Sequence, residues 1–220
     1  MIKRLFASLK KAVFPEGLRC ISCGREAVTG ENGFCTECEM GLEAFNSAPP
    51  IEGIADYTAA WVYNDVTSRP IKKLKYNGAR YLGKALGGMM EIPKECHIDA
   101  VVPVPLYYRR EWKRGFNQSR LIAEEICRRG GYKLAPELLI RYKDTKQQAR
   151  LTEAGRKRNL KGAFAADEAC RGLDILLIDD VRTTGATLGK CAEALLKEGA
   201  KNVYAATVCF AKPHPKARKQ

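Results

Sequence analysis

Residues 175–188, Ile-Leu-Leu-Ile-Asp-Asp-Val-Arg-Thr-Thr-Gly-Ala-Thr-Leu, decide how this chain folds. Ile175, Leu176, Leu177 and Ile178 make a short continuous apolar run, the pattern of a strand buried on both faces. Asp179 and Asp180 follow at its carboxyl end, where open α/β sheets bind ligands. The turn Val181–Ala186 is rich in Thr and Gly, and a helical pattern begins near Thr187. Ionised carboxylates only accept hydrogen bonds, so the acidic pair suits vicinal sugar hydroxyls and repels phosphate. The hydroxyls of Thr183, Thr184 and Thr187 suit phosphate, as do backbone N–H groups at a helix N-terminus, and Gly185 permits close backbone approach. The loop is not a Walker A motif: three residues separate Gly185 from Gly189, and Cys191 follows Lys190 where Ser or Thr is required. It also lacks the G-x-G-x-x-G fingerprint. The plainer reading is a buried strand with two solvated Asp residues and an ordinary Thr cap. The spacing of the Thr-Gly turn behind the acidic pair favours the ligand.

Outward from this stretch, strands alternate with helices. Tyr57–Tyr63, Ala100–Val104, Leu138–Tyr142, Leu173–Ile178 and Asn202–Cys209 read as strands. Val66–Tyr76, Tyr81–Met90, Asn117–Arg129 and Thr187–Lys197 read as helices. The alternation predicts an α/β fold with a mostly parallel sheet flanked by helices. Arg109, Arg110 and Arg114 follow the strand at Ala100–Val104, where a second anion site, for pyrophosphate, would form. Residues 143–160 are polar and basic, with the size of a lid over bound ligand or of a plain solvated loop. Residues 1–16 read as a short basic amphipathic helix, packed on the body or lying on a membrane surface.

The first fifty residues carry a different chemistry. Four of the nine cysteines fall as Cys20-x2-Cys23-x11-Cys35-x2-Cys38. Two such knuckles bring four thiolates together, the ligand set of a closed, structural tetrahedral Zn²⁺ site. Disulfides or loose thiols are the alternatives. Met1–Phe14 carries Lys3, Arg4, Lys10 and Lys11, which does not read as a signal peptide, so a reducing cytoplasmic setting and metal are expected. A short helix, Thr36–Phe45, is expected after the knuckles, and Ser47-Ala-Pro-Pro50 marks a boundary. Cys96, Cys127, Cys170, Cys191 and Cys209 are scattered and read as small buried or half-buried hydrophobes.

The formal charge of +13 exceeds what solubility needs and points to a polyanionic partner. The hydrophobic fraction of 45% excludes a disordered chain, and the absence of an 18-residue apolar run predicts no transmembrane segment.

Residues 175–187 resemble the thirteen-residue phosphoribosyl-pyrophosphate (PRPP) motif of type I phosphoribosyltransferases. The resemblance implies that Asp179 and Asp180 are catalytic and hold the ribose hydroxyls. Arg182, Thr183, Thr184, Gly185, Ala186 and Thr187 would bind the 5′-phosphate, with Mg²⁺ carried in on PRPP. More of the chain is similar to the ComF competence-protein family: Val102-Pro-Val-Pro-Leu106 with Arg109-Arg110 and Arg114-Gly-Phe-Asn-Gln118, then Thr145-x2-Gln148-x2-Leu151, then Arg156-x2-Asn159-x3-Ala163-Phe164. The cysteine knuckles and Leu74-Lys-Tyr76 with Gly78 also fit that family. The resemblance implies a cytoplasmic accessory of DNA uptake in natural transformation that binds single-stranded DNA, works with other DNA-uptake proteins and carries a PRPP or ribose-phosphate pocket. Arg109, Arg110 and Arg114 would then meet pyrophosphate or DNA. The competing expectation is an enzyme that transfers phosphoribosyl from PRPP to a small nitrogen nucleophile and releases pyrophosphate. The expected organisation is an N-terminal segment with the zinc ribbon over 1–50, a phosphoribosyltransferase-like domain over 51–210, and a basic flexible tail over 211–220.

Overall fold

The computed structural model describes residues 19–94, 96–143 and 162–212. The expected N-terminal helix, most of the expected lid and most of the tail lie outside the described residues. The elements run α1 (Thr36–Glu39), β1 (Tyr57–Val62), α2 (Asp65–Tyr76), α3 (Tyr81–Gly88), β2 (Ala100–Pro103), α4 (Tyr108–Arg114), α5 (Gln118–Gly130), β3 (Leu139–Arg141), β4 (Phe164–Ala166), β5 (Asp174–Arg182), α6 (Ala186–Lys197) and β6 (Asn202–Phe210).

The main sheet has the order β1-β6-β5-β2, and every pairing in it is parallel. Both faces are covered, which is why β5 reads as unbroken apolar sequence rather than as an alternation. Ile175 and Leu177 pack on one side with Leu188, Cys191 and Leu195 of α6. Leu176 and Ile178 pack on the other with Ile71 and Leu74 of α2, Leu82 and Leu86 of α3, and Ile122 and Ile126 of α5. Strand β5 runs further than its apolar residues suggest. Asp179, Val181 and Arg182 keep register with Thr207, Cys209 and Phe210 of β6, so the acidic pair lies within the strand rather than after it. The length of the neighbouring strand sets that boundary.

Three more elements differ from the sequence expectation. The helix after the knuckles stops at Glu39, and Ala44 instead bridges to Trp61 of β1. Gly41 allows that return, since a Cβ there would sit 2.8 Å from Val66 Cγ2. Helix α4 has no buried residue and therefore no apolar period to read. Strand β4 has three residues and pairs antiparallel with β3 in a separate two-stranded sheet.

Helices α3 and α5 meet through glycines. A Cβ on Gly83 would lie 2.5 Å from Leu121 Cβ, and one on Gly87 would lie 2.6 Å from the Ile122 carbonyl oxygen. Backbone cannot swing aside as a side-chain tip can, so Gly87→Ala is expected to lower stability by about 1–3 kcal/mol. Gly88→Ala, with nothing within 4 Å, serves as the neutral control. Urea unfolding midpoints compare the two, and equal midpoints would reject the close packing.

Candidate functional site

Helix α2 joins the cysteine segment to the sheet. Asn64 caps it reciprocally with Thr67, and Asn64 Nδ2 also donates to the Gly41 carbonyl at 2.9 Å. Pro70 lies inside the helix and has no N–H to give the carbonyl of Val66. Ser22 Oγ donates to that carbonyl at 2.8 Å. Lys73 Nζ donates to the carbonyls of Ile21 and Ser22 at 3.0 and 2.9 Å. Phe34, fully buried, meets Trp61 edge-on with ring centroids 5.7 Å apart.

Within that segment the sulfurs of Cys20, Cys23, Cys35 and Cys38 all lie within 4.8 Å of one another, and three of the four residues are buried. Cys23 Sγ and Cys35 Sγ are 3.8 Å apart, far beyond a disulfide bond. A tetrahedral ion with ligands at about 2.3 Å spaces its sulfurs by about 3.8 Å, so the cluster has the donors and the size to hold zinc. Burial raises the Cys20 thiol, but backbone N–H groups of Cys35, Cys23 and Ser22 outweigh it and bring the pKa down to about 6. The other five cysteines are scattered, with Cys170, Cys191 and Cys209 buried and Cys96 and Cys127 partly so.

The acidic pair is held from α2 and from the start of α5. Asn117, buried, caps α5 through Ser119 N and donates to the Val104 carbonyl at 3.0 Å, which fixes that helix end against β2. The next two residues reach the pair. Gln118 Nε2 donates to Asp180 Oδ1 at 3.2 Å, and Ser119 Oγ donates to Asp179 Oδ1 at 2.9 Å. Lys75, near the end of α2, forms an ion pair with Asp180 Oδ2. Asp180 is 3% exposed. Burial raises its carboxyl, yet the Lys75 ammonium reverses the shift and holds it below the usual carboxylate range. Burial and the adjacent Asp180 charge push Asp179 up to about 7. The two carboxyls are thus pushed apart, Asp180 towards its ionised form and Asp179 towards its protonated form. Whatever stability Asp179 gives the fold is present at acid pH and is lost as pH rises towards 7.

The loop behind the pair turns at Gly185, with φ +81°. A Cβ there would lie 2.8 Å from Ile51 Cγ1, so glycine is required both for the turn and for the space. Thr183 and Thr184 are exposed, Ala186 and Thr187 lie in the first turn of α6, and Ala186 N donates to Thr184 Oγ1 at 3.4 Å. These four residues surround the helix N-terminus. Arg182 is placed differently. It is 4% exposed, its guanidinium lies 4.2 Å from the Tyr57 ring centroid and 5.5 Å from that of Phe210, and Nη2 donates to the Pro49 carbonyl. Among the described residues, Nε and Nη1 meet no acceptor within good hydrogen-bond geometry. Arg182 thus ties the linker at Pro49 beneath the loop.

Of the three α4 arginines, Arg114 approaches the acidic pair. Its Nη1 donates to Gln118 Oε1, and its guanidinium lies 5.7 Å from the Tyr76 ring centroid. Arg109 is exposed and donates through Nε to Tyr108 Oη at 3.0 Å. Arg110 is half-buried on the same helix. Lys75 and Gln118 fall inside segments that carry the family resemblance but have no role assigned there, and Ser119 lies just outside them. For Lys75 a signal exists: it sits four residues after buried Ile71, at core spacing, where a charge needs a partner.

Residues 127–220 match the family model described as phosphoribosyl transferase domain. DNA utilization protein YhgH of Salmonella typhi is 40% identical over 205 residues, covering 86% of this chain and 89% of the relative. Competence protein F of Haemophilus influenzae is 26% identical over 214 residues, covering 84% and 93%. Among solved structures, the glutamine PRPP amidotransferase from B. subtilis aligns at a TM-score of 0.39 and 18% identity, covering 59% of this chain and 25% of that one.

Proposed function

The chain belongs to the family of DNA utilization protein YhgH and Competence protein F, with a phosphoribosyl transferase domain, and on that footing we propose that it is an accessory of DNA uptake that binds single-stranded DNA and holds PRPP or a related ribose-phosphate. One observation carries the pocket reading: an acidic pair and a Thr-Gly loop at a helix N-terminus stand side by side on β5 and α6. In this reading Asp179 and Asp180 accept the ribose hydroxyls, and the residues from Thr183 to Thr187 take the 5′-phosphate. Mg²⁺ comes with the pyrophosphate, because that ion keeps its waters and binds through phosphate oxygens. The net charge of +13 supports a polyanionic partner, whose binding would fall steeply with salt. The four thiolates hold a structural Zn²⁺. No described helix is long and apolar enough to cross a membrane, and a reduced cysteine cluster suits the cytoplasm.

The test is a titration with PRPP and Mg²⁺, with and without a short single-stranded oligonucleotide, on the wild type and on Asp179→Asn/Asp180→Asn. The wild type is expected to bind PRPP and the double variant to lose at least ten-fold in affinity, since amides in place of carboxylates weaken acceptance of the diol by about 1.4 kcal/mol or more. Equal binding by both proteins would remove the carboxylates from the site. Release of pyrophosphate on adding a nitrogen nucleophile would show that PRPP is consumed rather than held.

A further inference from the structure

Helix α4 is anomalous for a soluble chain. It buries none of its side chains, and it presents Trp112 at 86% exposure, the highest of any aromatic among the described residues. Tyr108, one helical turn earlier and 61% exposed, shares the face of Trp112. The Tyr107 and Tyr108 rings lie 4.5 Å apart, which extends the aromatic surface towards the start of the helix. Cations flank it: α4 carries Arg109, Arg110, Lys113 and Arg114 against the single acid Glu111. Large aromatic area left in water at this cost marks a contact surface, and its basic surround selects an anionic partner with flat faces. Single-stranded nucleic acid has both properties, a charged backbone and a π-face on every base.

The acidic pair supplies the second half of the inference. An internal nucleotide of a DNA strand has both its 3′ and 5′ oxygens esterified and hydrogen at the 2′ carbon. It has no hydroxyl to donate to Asp179 or Asp180, and its phosphates are repelled by them. A DNA strand therefore belongs outside the pocket. Helix α4 ends beside it: Arg114 bonds Gln118, which bonds Asp180.

We propose that a DNA strand runs along the outer face of α4 with bases stacked on Trp112 and Tyr108, leaving the acidic pocket free, so that strand and ribose-phosphate are held at once on separate surfaces. The inference rests on the single-stranded DNA reading above and names where that contact is made.

The experiment is a fluorescence anisotropy titration of a labelled thymidine oligonucleotide at low salt, with wild type, Trp112→Ala, Trp112→Phe and Tyr108→Ala/Trp112→Ala. Loss of one stacking ring is expected to weaken binding about ten-fold, with Phe restoring most of it. Saturating ribose 5-phosphate is expected to leave the wild-type isotherm in place. Wild-type affinity in both Ala variants, with the wild type binding, would overturn the assignment to α4 while sparing the DNA reading. Displacement of the oligonucleotide by ribose 5-phosphate would overturn the separation of surfaces. No wild-type binding at low salt would sink the DNA reading and the inference together. A change of sedimentation state in Trp112→Ala without a change in DNA affinity would assign the face to a second copy of the chain, and so reject the proposal.

Discussion

Lys75→Met is expected to lower the stability of the folded chain by about 3–5 kcal/mol at neutral pH, the usual cost of stripping one partner from a buried ion pair. The cause is the environment of Asp180 rather than the energy of the pair itself. Asp180 is 3% exposed, and among the described residues Lys75 is the cation paired with it, Gln118 Nε2 being an uncharged donor. Without the Lys75 ammonium, burial acts on Asp180 unopposed and drives its carboxyl upward. The pH dependence follows. In the wild type the depressed Asp180 contributes stability that is present above the unfolded carboxylate pKa, and that is lost as pH falls through the folded value. In the variant the carboxyl takes up a proton readily, so the gap between the two proteins narrows as the solution is acidified. Adding Asp180→Asn to Lys75→Met is expected to recover most of the loss, because the amide keeps an acceptor for Gln118 and leaves no charge behind. Urea unfolding at pH 7.5 and pH 4 on the three proteins checks this. A single-variant loss below about 1 kcal/mol, the scale of an exposed pair, would mean that water reaches Asp180 and that the pair is not buried.

How much of this site could be read beforehand depends on how local the cause is. The apolar run Ile175–Ile178, the acidic pair and the Thr-Gly turn are consecutive, so the residues themselves declare a strand, a ligand edge and a loop. The reach of β5 through Arg182 is not local, since it depends on β6 matching it to Phe210. Arg182 shows the same limit from the side-chain end. Tyr57, Phe210 and Pro49 converge on its guanidinium from three separate parts of the chain, so its burial is not declared by its neighbours in sequence. Lys75 and Gln118 meet Asp180 from segments more than sixty residues away. Helix α4 escaped because apolar periodicity reports burial, and α4 buries nothing. The clustering of the four cysteines was legible because two C-x-x-C pairs at this spacing bring their sulfurs together.

On the zinc reading proposed above, removing the metal is expected to unfold the cysteine segment while leaving the sheet intact. The local apolar cluster there has Phe34 and three of the four cysteines as its buried members, with Ile21, Cys23, Ala27, Leu42, Trp61, Val66 and Met89 partly buried against it. Ordering a segment of this length costs about 1–2 kcal/mol per residue, which so few apolar side chains cannot offset. Ion binding by four thiolates is coupled to folding, so the order of the segment depends on the ion. The two larger cores contain none of the cysteine-segment residues among their fully buried members, so the domain keeps its own stability. The seam between the two is where the loss is visible. Trp61 loses the Phe34 ring, the Val66 carbonyl loses Ser22, and Lys73 loses two carbonyl acceptors. Trp61 and Trp112 are the only tryptophans in the chain, so a Trp112→Phe background reports on Trp61 alone. In that background, metal analysis is expected to find one zinc per chain. Chelation should expose four additional thiols and shift Trp61 emission to the red, while hydrogen exchange at β5 and β6 stays slow. Iron in place of zinc would correct the ion. Unchanged emission after confirmed loss of the metal would show that the segment folds without it.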